Sequence, residues 1–430
     1  MEALYVYLNG VKAGVLYDYN GRMEFSYSGE YLSTAGGEPI SYSLPLREEA
    51  YSHAEVEPVF SNLLPDDIIR TRIGAILKIP RENTFALLKA IGGDCAGAVA
   101  FFRQGDSIEM EGKKDFRELT DEEAGHILDS LEDRPLDVGE EGFRISGAGA
   151  QDKLIACVSD GKVKLPLNGT PSTHIIKTEI RGYPGSVENE WFSMTLAAAC
   201  GLNVAECEIV VIGGKRRYVC RRYDREICGD DVRRLHQEDF CQLLRIDPKN
   251  KYENLGGPGI LDSFSLLRRL SLPASDTVEF LNRVVFNFLV GNGDAHGKNF
   301  SVLYRNGVAE LAPMYDVMST TVYPEVGKRM AMKIDGEYAF RWVTYGKFLR
   351  MANKLGIDEK IMRKSIGSIV RKIKRNLQKV VDAAQNRWPS GCYSEIADGI
   401  LLRIARIESP SSSSTLDFDF NSSTTPTPYA

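Results

Sequence analysis

Phe286-Asn287-Phe288-Leu289-Val290-Gly291-Asn292-Gly293-Asp294-Ala295-His296-Gly297-Lys298-Asn299 joins an apolar run to a polar loop, and the rest of the chain is best understood outward from it. The run belongs to a helix starting near Asp276 and stopping at Gly291, where a glycine takes the left-handed C-cap conformation without a Cβ clash. The loop then places a carboxylate at Asp294 and, five residues later, a carboxamide at Asn299. By itself, Asn-Gly-Asp reads as an ordinary turn. The strands that follow change that reading. Phe300 to Arg305 and Val308 to Leu311 flank Asn306-Gly307, the dipeptide that favours a two-residue type I′ hairpin. Across such a turn, facing positions sum to 613, which sets residue 299 opposite residue 314 and brings Asp316 to the open end of the hairpin near Asn299.

An amide oxygen and a carboxylate converging there form a hard, oxygen-rich site suited to Mg2+, with positions left for water and phosphate oxygens. The step from Asp294 to Asn299 is also that of the protein-kinase catalytic loop, where the Asp accepts the substrate hydroxyl proton and the Asn binds magnesium. Asp316, in Tyr315-Asp316-Val317, then fills the place of the Asp in Asp-Phe-Gly. His296 stands where protein kinases often carry a phosphate-touching Lys, but near neutral pH it is only partly charged. A loop-ordering hydrogen bond is the equal alternative. Lys298 reads as an exposed side chain, or else as a further phosphate contact.

Upstream, Ser146-Gly147-Ala148-Gly149-Ala150-Gln151-Asp152-Lys153 precedes a strand. Successive small residues let the backbone N–H groups from Gly147 through Ala148, Gly149 and Ala150 to Gln151 turn inward and cradle the phosphates of ATP, although any tight turn carries glycines. Lys177 lies in the alternating strand His174-Ile175-Ile176-Lys177-Thr178. Half-buried there, its ammonium needs a carboxylate or a phosphate. Glu190 on the next helix is the expected counter-charge and Glu188 its rival; on an edge strand Lys177 is a plain surface lysine. Arg221-Arg222-Tyr223-Asp224-Arg225 closes the β-rich stretch. By position it is the hinge, where extended backbone from Arg221 to Tyr223 would meet an adenine edge.

The 430 residues, 43% hydrophobic and 26% charged, suffice for two or three packed units. Residues 4 to 32 read as a β-meander turning at Asn9-Gly10 and Asn20-Gly21. Thr120-Asp121-Glu122-Glu123 is a capping box ahead of a helix ending near Leu131. Strands are expected at 154–158, 162–165, 174–179, 209–212 and 217–222, with one helix at about 188–200. From Gln237 helices dominate, the longest at about 358–384. The expected fold is α+β and bilobal, protein-kinase-like. An N-terminal α+β subdomain (1–110) precedes a β-rich ATP-binding lobe (111–225), a mainly helical catalytic lobe (226–408) and a disordered Ser/Thr/Pro-rich tail (409–430).

A net charge of −6 and a pI near 5.6 argue against a surface built to coat nucleic acid. The eight cysteines form no CxxC pair and read as buried thiols of a reducing compartment. With no apolar run of membrane-spanning length and no basic-then-apolar leader, the expected location is the cytoplasm, away from any membrane.

Taken in order, several segments resemble the HipA family of bacterial toxin kinases. They are Ser146 to Lys153, Ser172-Thr173-His174-Ile175-Ile176-Lys177, Glu188-Asn189-Glu190, Tyr223-Asp224-Arg225, His236-Gln237-Glu238-Asp239, Gly291 to Ser301 and Tyr315-Asp316-Val317. The resemblance implies a serine/threonine protein kinase using ATP and Mg2+. Asp294 would be the catalytic base, with His296 beside it, and Asn299 and Asp316 the magnesium ligands. Lys177 and the Gly147–Gln151 backbone would meet the ATP phosphates. It also implies autophosphorylation of Ser146, which moves the loop out of the ATP site and switches the enzyme off. Partners would be a helix-turn-helix antitoxin, through which DNA is mainly contacted, and a protein substrate such as an aminoacyl-tRNA synthetase. Two departures, Asp152 where Glu is frequent and Arg221 in place of a frequent hinge Glu, bear on nucleotide preference. A small-molecule phosphotransferase and a non-catalytic antitoxin-binding corepressor are the alternatives.

Overall fold

The computed structural model describes residues 2–34, 36–106, 115–139, 144–149, 151–229 and 231–408. The expected disordered tail, and Ala150 of the small-residue loop, lie outside the described residues.

β1 (Glu2–Leu8), β2 (Val11–Tyr19) and β3 (Arg22–Tyr27) form the expected antiparallel meander. Its turns have positive φ at both central residues, 49° and 83° at Asn9-Gly10 and 56° and 85° at Asn20-Gly21, which is the type I′ signature. A fourth strand, β4 (Val99–Arg103), escapes the sequence reading and pairs with β1, giving the order β3-β2-β1-β4. Alternation along β1 buries Leu4, Val6 and Leu8. Aromatic edges close the core, with Phe25 on Tyr27 at 4.8 Å and Phe60 on Phe101 at 5.3 Å between ring centroids.

A six-stranded sheet follows from β5 (Phe116–Glu118), β6 (Lys153–Ser159), β7 (Lys162–Pro166), β8 (His174–Lys177), β9 (Cys207–Ile212) and β10 (Lys215–Arg221), in the order β5-β7-β6-β8-β10-β9. β8 is interior: Lys177 faces Lys153 on β6 and Tyr218 on β10. The helix at Asp121–Asp129 starts with the expected box, in which Glu123 N–H donates to Thr120 Oγ1 at 3.2 Å and Thr120 N–H to the Glu123 carboxylate at 2.8 Å. β11 (Arg225–Cys228) and β12 (Asp231–Arg234) form a hairpin, and β13 (Gln237–Asp239) pairs with β14 (Ser301–Arg305), which pairs with β15 (Val308–Leu311). The β14–β15 register has the predicted sum: Val302 faces Leu311 and Arg305 faces Val308. Ala312 N–H carries it one step further, to Ser301 O at 2.9 Å.

A buried charge cluster joins these pieces. Asp94, 1% exposed, meets Arg225 at 2.8 Å, Arg234 at 3.0 Å and Arg222 at 3.2 Å, while Asp224 takes Arg222 at 2.7 Å. Burial pushes the Asp94 carboxyl up, but the three guanidinium groups outweigh it and hold the group well below the usual carboxylate range. The segment read from sequence as a hinge by position thus carries, at Arg222, Asp224 and Arg225, charges that lie in the core.

By compactness the chain makes two units. One comprises residues up to 180, 205–251 and 301–312, and so holds both larger sheets and the β14–β15 hairpin. The other comprises 181–204, 252–300 and everything described from 313 on. It contains the helices Ser186–Ala199, Ile260–Arg269, Ala274–Val290, Tyr345–Lys354, Glu359–Arg387 and Cys392–Glu408, with a small hairpin of β16 (Arg329–Ile334) and β17 (Glu337–Ala339). Among the described residues no helix is long and apolar enough to cross a membrane. All eight cysteines are free thiols; five are buried as expected, whereas Cys228 is exposed and Cys207 and Cys392 half-buried.

Candidate active site

The Ala274–Val290 helix ends as its sequence dictates. Gly291 has φ 82°, its N–H reaches Phe288 O at 3.3 Å, and Asn292 N–H reaches back to Asn287 O at 2.9 Å, a Schellman close. A side chain at Gly291 would strike Thr321 Oγ1 and come within 2.7 Å of Arg403 Nη2, so only glycine fits.

The loop beyond is cross-braced. Asn292 Nδ2 donates to Asn287 Oδ1 at 2.9 Å, and Asn292 Oδ1 accepts from Asp294 N–H at 3.0 Å. Asp294 O accepts from His296 N–H at 2.8 Å and from Asn299 Nδ2 at 2.7 Å. Thr320 pins the loop from outside, its Oγ1 accepting from Gly293 N–H at 2.9 Å and donating to Gly291 O at 3.2 Å. His296, 4% exposed, sets Nε2 3.9 Å from Asp294 Oδ1. Thus Asp294, His296 and Asn299 share one ordered loop. With its nitrogen donating to Asp294 O, the Asn299 side chain has its amide oxygen as its acceptor.

Asp316 sits at φ 58°, a left-handed conformation that asparagine and aspartate tolerate better than other side chains. Three contacts hold its segment: Met314 N–H to Asn203 O at 2.8 Å, Tyr315 hydroxyl to Lys298 O at 2.6 Å, and Ser319 N–H to Asn189 Oδ1 at 2.8 Å. Tyr315 and Lys298 immediately precede Asp316 and Asn299, so the neighbours of the two predicted ligands touch. Lys298 itself is buried, against the exposed reading. Glu188 and Glu190 flank Asn189 on the Ser186–Ala199 helix and are buried.

The remaining predicted residues lie in the first unit. Ser146 is 2% exposed and donates to Leu63 O at 2.5 Å, while its N–H reaches Asp94 O at 3.1 Å. Gly147 packs where a Cβ would meet Leu136 at 2.9 Å. Ala148 O takes the Lys153 ammonium at 2.6 Å, Gly149 O takes Asp66 N–H at 3.1 Å, and Gln151 Nε2 donates to Thr178 O at 3.1 Å. Burial raises the Asp152 carboxyl despite Arg72 at 3.2 Å. Lys177 is buried with its ammonium 5.4 Å above the Tyr218 ring. Arg221 ends β10 and pairs with Glu206 at 3.1 Å, and Tyr223 donates to Gln237 Oε1 while packing on Leu235, Leu303 and Ala312.

Sequence reasoning missed Tyr252. Its hydroxyl donates to Asp294 Oδ1 and its ring meets His296 edge-on at 5.0 Å. Lys251-Tyr252-Glu253 carries no periodic or spacing signal that singles out the tyrosine.

Residues 4–102 match the family model described as HipA N-terminal domain, and residues 145–377 match that described as HipA-like C-terminal domain. The kinase-named protein Y4mE of Sinorhizobium fredii is 40% identical over 90% of this chain and 93% of its own length. The serine/threonine-protein kinase toxin HipA of Shewanella oneidensis is 31% identical over 80% of this chain and 81% of its own. The structure of a Shewanella oneidensis toxin–antitoxin complex of HipA, HipB and operator DNA includes a chain that matches with a TM-score of 0.83 at 27% identity, covering 94% of this chain and 97% of that one. The bilobal, kinase-like α+β fold expected from sequence is therefore the fold observed, and the protein belongs to the HipA family of kinases.

Proposed function

We propose that this kinase is an ATP- and Mg2+-dependent serine/threonine protein kinase acting as the toxin of a toxin–antitoxin pair. The observation that carries the reading is the hydrogen bond from Asn299 Nδ2 to Asp294 O at 2.7 Å, which ties the carboxamide to the residue that bears the loop carboxylate and supports the Asn299 oxygen as a hard metal donor. The Tyr315–Lys298 bond supports Asp316 as the second ligand. This donor set fits Mg2+, which would neutralise charge on the transferring phosphate. Asp294 accepts the acceptor's hydroxyl proton as that oxygen attacks the γ-phosphorus of ATP. The bond from phosphorus to the ADP oxygen breaks, and ADP leaves with the electron pair. His296, packed beside Asp294, steadies the base. Lys177 and the backbone from Gly147 to Gln151 would hold the ATP phosphates, and the Arg221–Tyr223 backbone the adenine.

The Shewanella oneidensis complex supports an antitoxin partner, of the helix-turn-helix kind that the sequence resemblance implies, with DNA reached mainly through it. The acidic net charge of −6 agrees with that division of labour. A cytoplasmic translation component such as an aminoacyl-tRNA synthetase is the proposed substrate. Ser146 is the proposed autophosphorylation site. Its hydroxyl is buried against Leu63 O, so a phosphate there has no room in this loop position, and a dianion beside ATP is repelled. Modification would hold the loop out and the enzyme off.

Incubation of the purified chain with γ-labelled ATP and Mg2+ tests both ideas. Self-labelling is expected, lost in Asp294→Asn and absent from the residue-146 peptide of Ser146→Ala. Undiminished labelling of Asp294→Asn would remove the base assignment. Growth arrest on expression should likewise disappear with Asp294→Asn if toxicity is catalytic.

A further inference from the structure

The contact between Tyr252 and Asp294 is one that an acceptor hydroxyl would also make: an O–H donating to a carboxylate oxygen. Tyr252 is 8% exposed, and it is not a wandering side chain. The next residue, Glu253, accepts from Lys333 N–H at 2.6 Å and pairs with the Lys333 ammonium at 3.1 Å, anchoring the segment to β16. The ring is braced against His296, and the Asp294 side chain retains 19% exposure. A base open to solvent is a hazard for a phosphotransferase. Water in the acceptor's place gives up its proton to Asp294 in the same way, and the product is inorganic phosphate and ADP instead of a phosphorylated acceptor.

We propose that Tyr252 is a positioning residue that guards the base, occupying Asp294 Oδ1 so that an acceptor hydroxyl is favoured over water. The proposal rests on Asp294 being the base. It adds a determinant of acceptor choice: the residue biases transfer toward a protein hydroxyl held by its own binding contacts and against a water held by none.

The test uses the full chain with γ-labelled ATP and Mg2+, counting label on protein against label released as inorganic phosphate. Tyr252→Phe keeps the ring on His296 and deletes only the guarding hydroxyl. Its ratio of hydrolysis to protein transfer should rise about fivefold, the worth of one hydrogen bond. Tyr252→Leu, which loses the ring as well, should raise the ratio at least as far. An unchanged or lower ratio in a Tyr252→Phe protein with wild-type melting overturns the proposal, since a purely structural role lowers both products together. Asp294→Asn run in parallel separates the two failures: if it retains both products, the base assignment has failed; if it loses both while Tyr252→Phe keeps the wild-type ratio, only the guard has.

Discussion

Arg403 on the last helix donates through Nε to Leu289 O at 2.8 Å, capping the helix that delivers the Asp294 loop. Its Nη1 reaches Thr321 Oγ1 at 3.2 Å, so one guanidinium bridges the chain before Asp294 and the chain after Asp316. Among the described residues no carboxylate pairs with it, and burial, with Arg406 nearby, pulls its pKa down to about 10. A cation at a helix C-terminus is favoured by the backbone dipole, which explains why the charge is tolerated there.

Replacing Arg403 by Lys removes the fork that makes both bonds. The expected result is a loss of about 1–3 kcal/mol in urea unfolding, because a buried carbonyl loses its donor. A fall in kcat with little change in the KM for ATP should accompany it, and steady-state kinetics at saturating Mg2+ would check that split.

Tyr315→Phe deletes the hydroxyl that ties the Asp316 segment to Lys298 O. Because the hydroxyl supports the proposed metal ligands from behind, its loss should weaken the apparent Mg2+ affinity of the activity by roughly tenfold or more. A Mg2+ titration at fixed ATP would show it, and an unaltered half-saturation would mean that the ligands are positioned without Tyr315.

The Asp94 cluster predicts an asymmetric sensitivity. Asp94→Asn keeps the shape but removes the charge that Arg222, Arg225 and Arg234 share, leaving Asp224 to hold Arg222 and Arg225, and should cost about 3–5 kcal/mol in chemical denaturation. The exposed pair Lys215–Asp129 serves as the contrast, and Lys215→Met should change stability by less than about 1 kcal/mol.

Glu238 gives a pH signature. It is 1% exposed, accepts from Tyr42 N–H and Tyr304 hydroxyl at 2.9 Å each, and burial raises its pKa to about 7. The folded state thus holds a proton that the unfolded chain releases near the ordinary 4.5. Its contribution is fully present below that pH and is lost as pH rises toward 7, a swing of up to about 3 kcal/mol. Half-buried His174 and buried His236, both lowered to about 4, slope the other way, but they are common to wild type and variant. The stability of Glu238→Gln relative to wild type should therefore rise from pH 4.5 to 7 and then level off, which urea titrations across that range would reveal.

Much of this architecture was legible because its signals are local. Asn306-Gly307 sets positive φ at both turn positions, and that alone fixed the β14–β15 register. Gly291 announced the helix end in the same way. What stayed hidden depends on long-range partners. β4 pairs with β1 across more than ninety residues, and alternation within β8 could not distinguish an interior strand from an edge. Asp94 and its arginines look like surface charges until the chain at 222–225 and at 234 meets the segment that carries Asp94. Tyr252 likewise acquires its meaning only from what lies above its hydroxyl.

The β14–β15 hairpin behaves as a ruler. Its ladder counts out how much chain separates Asn299 from Asp316, and because strand side chains alternate, length can change at its base only by matched pairs, one residue per strand. A single insertion on one side would rotate the following segment by one place and present Tyr315 or Val317 where Asp316 now stands. The tip is under no such parity rule: Val308 is 62% exposed beside the turn, and residues added there leave the count at the base untouched.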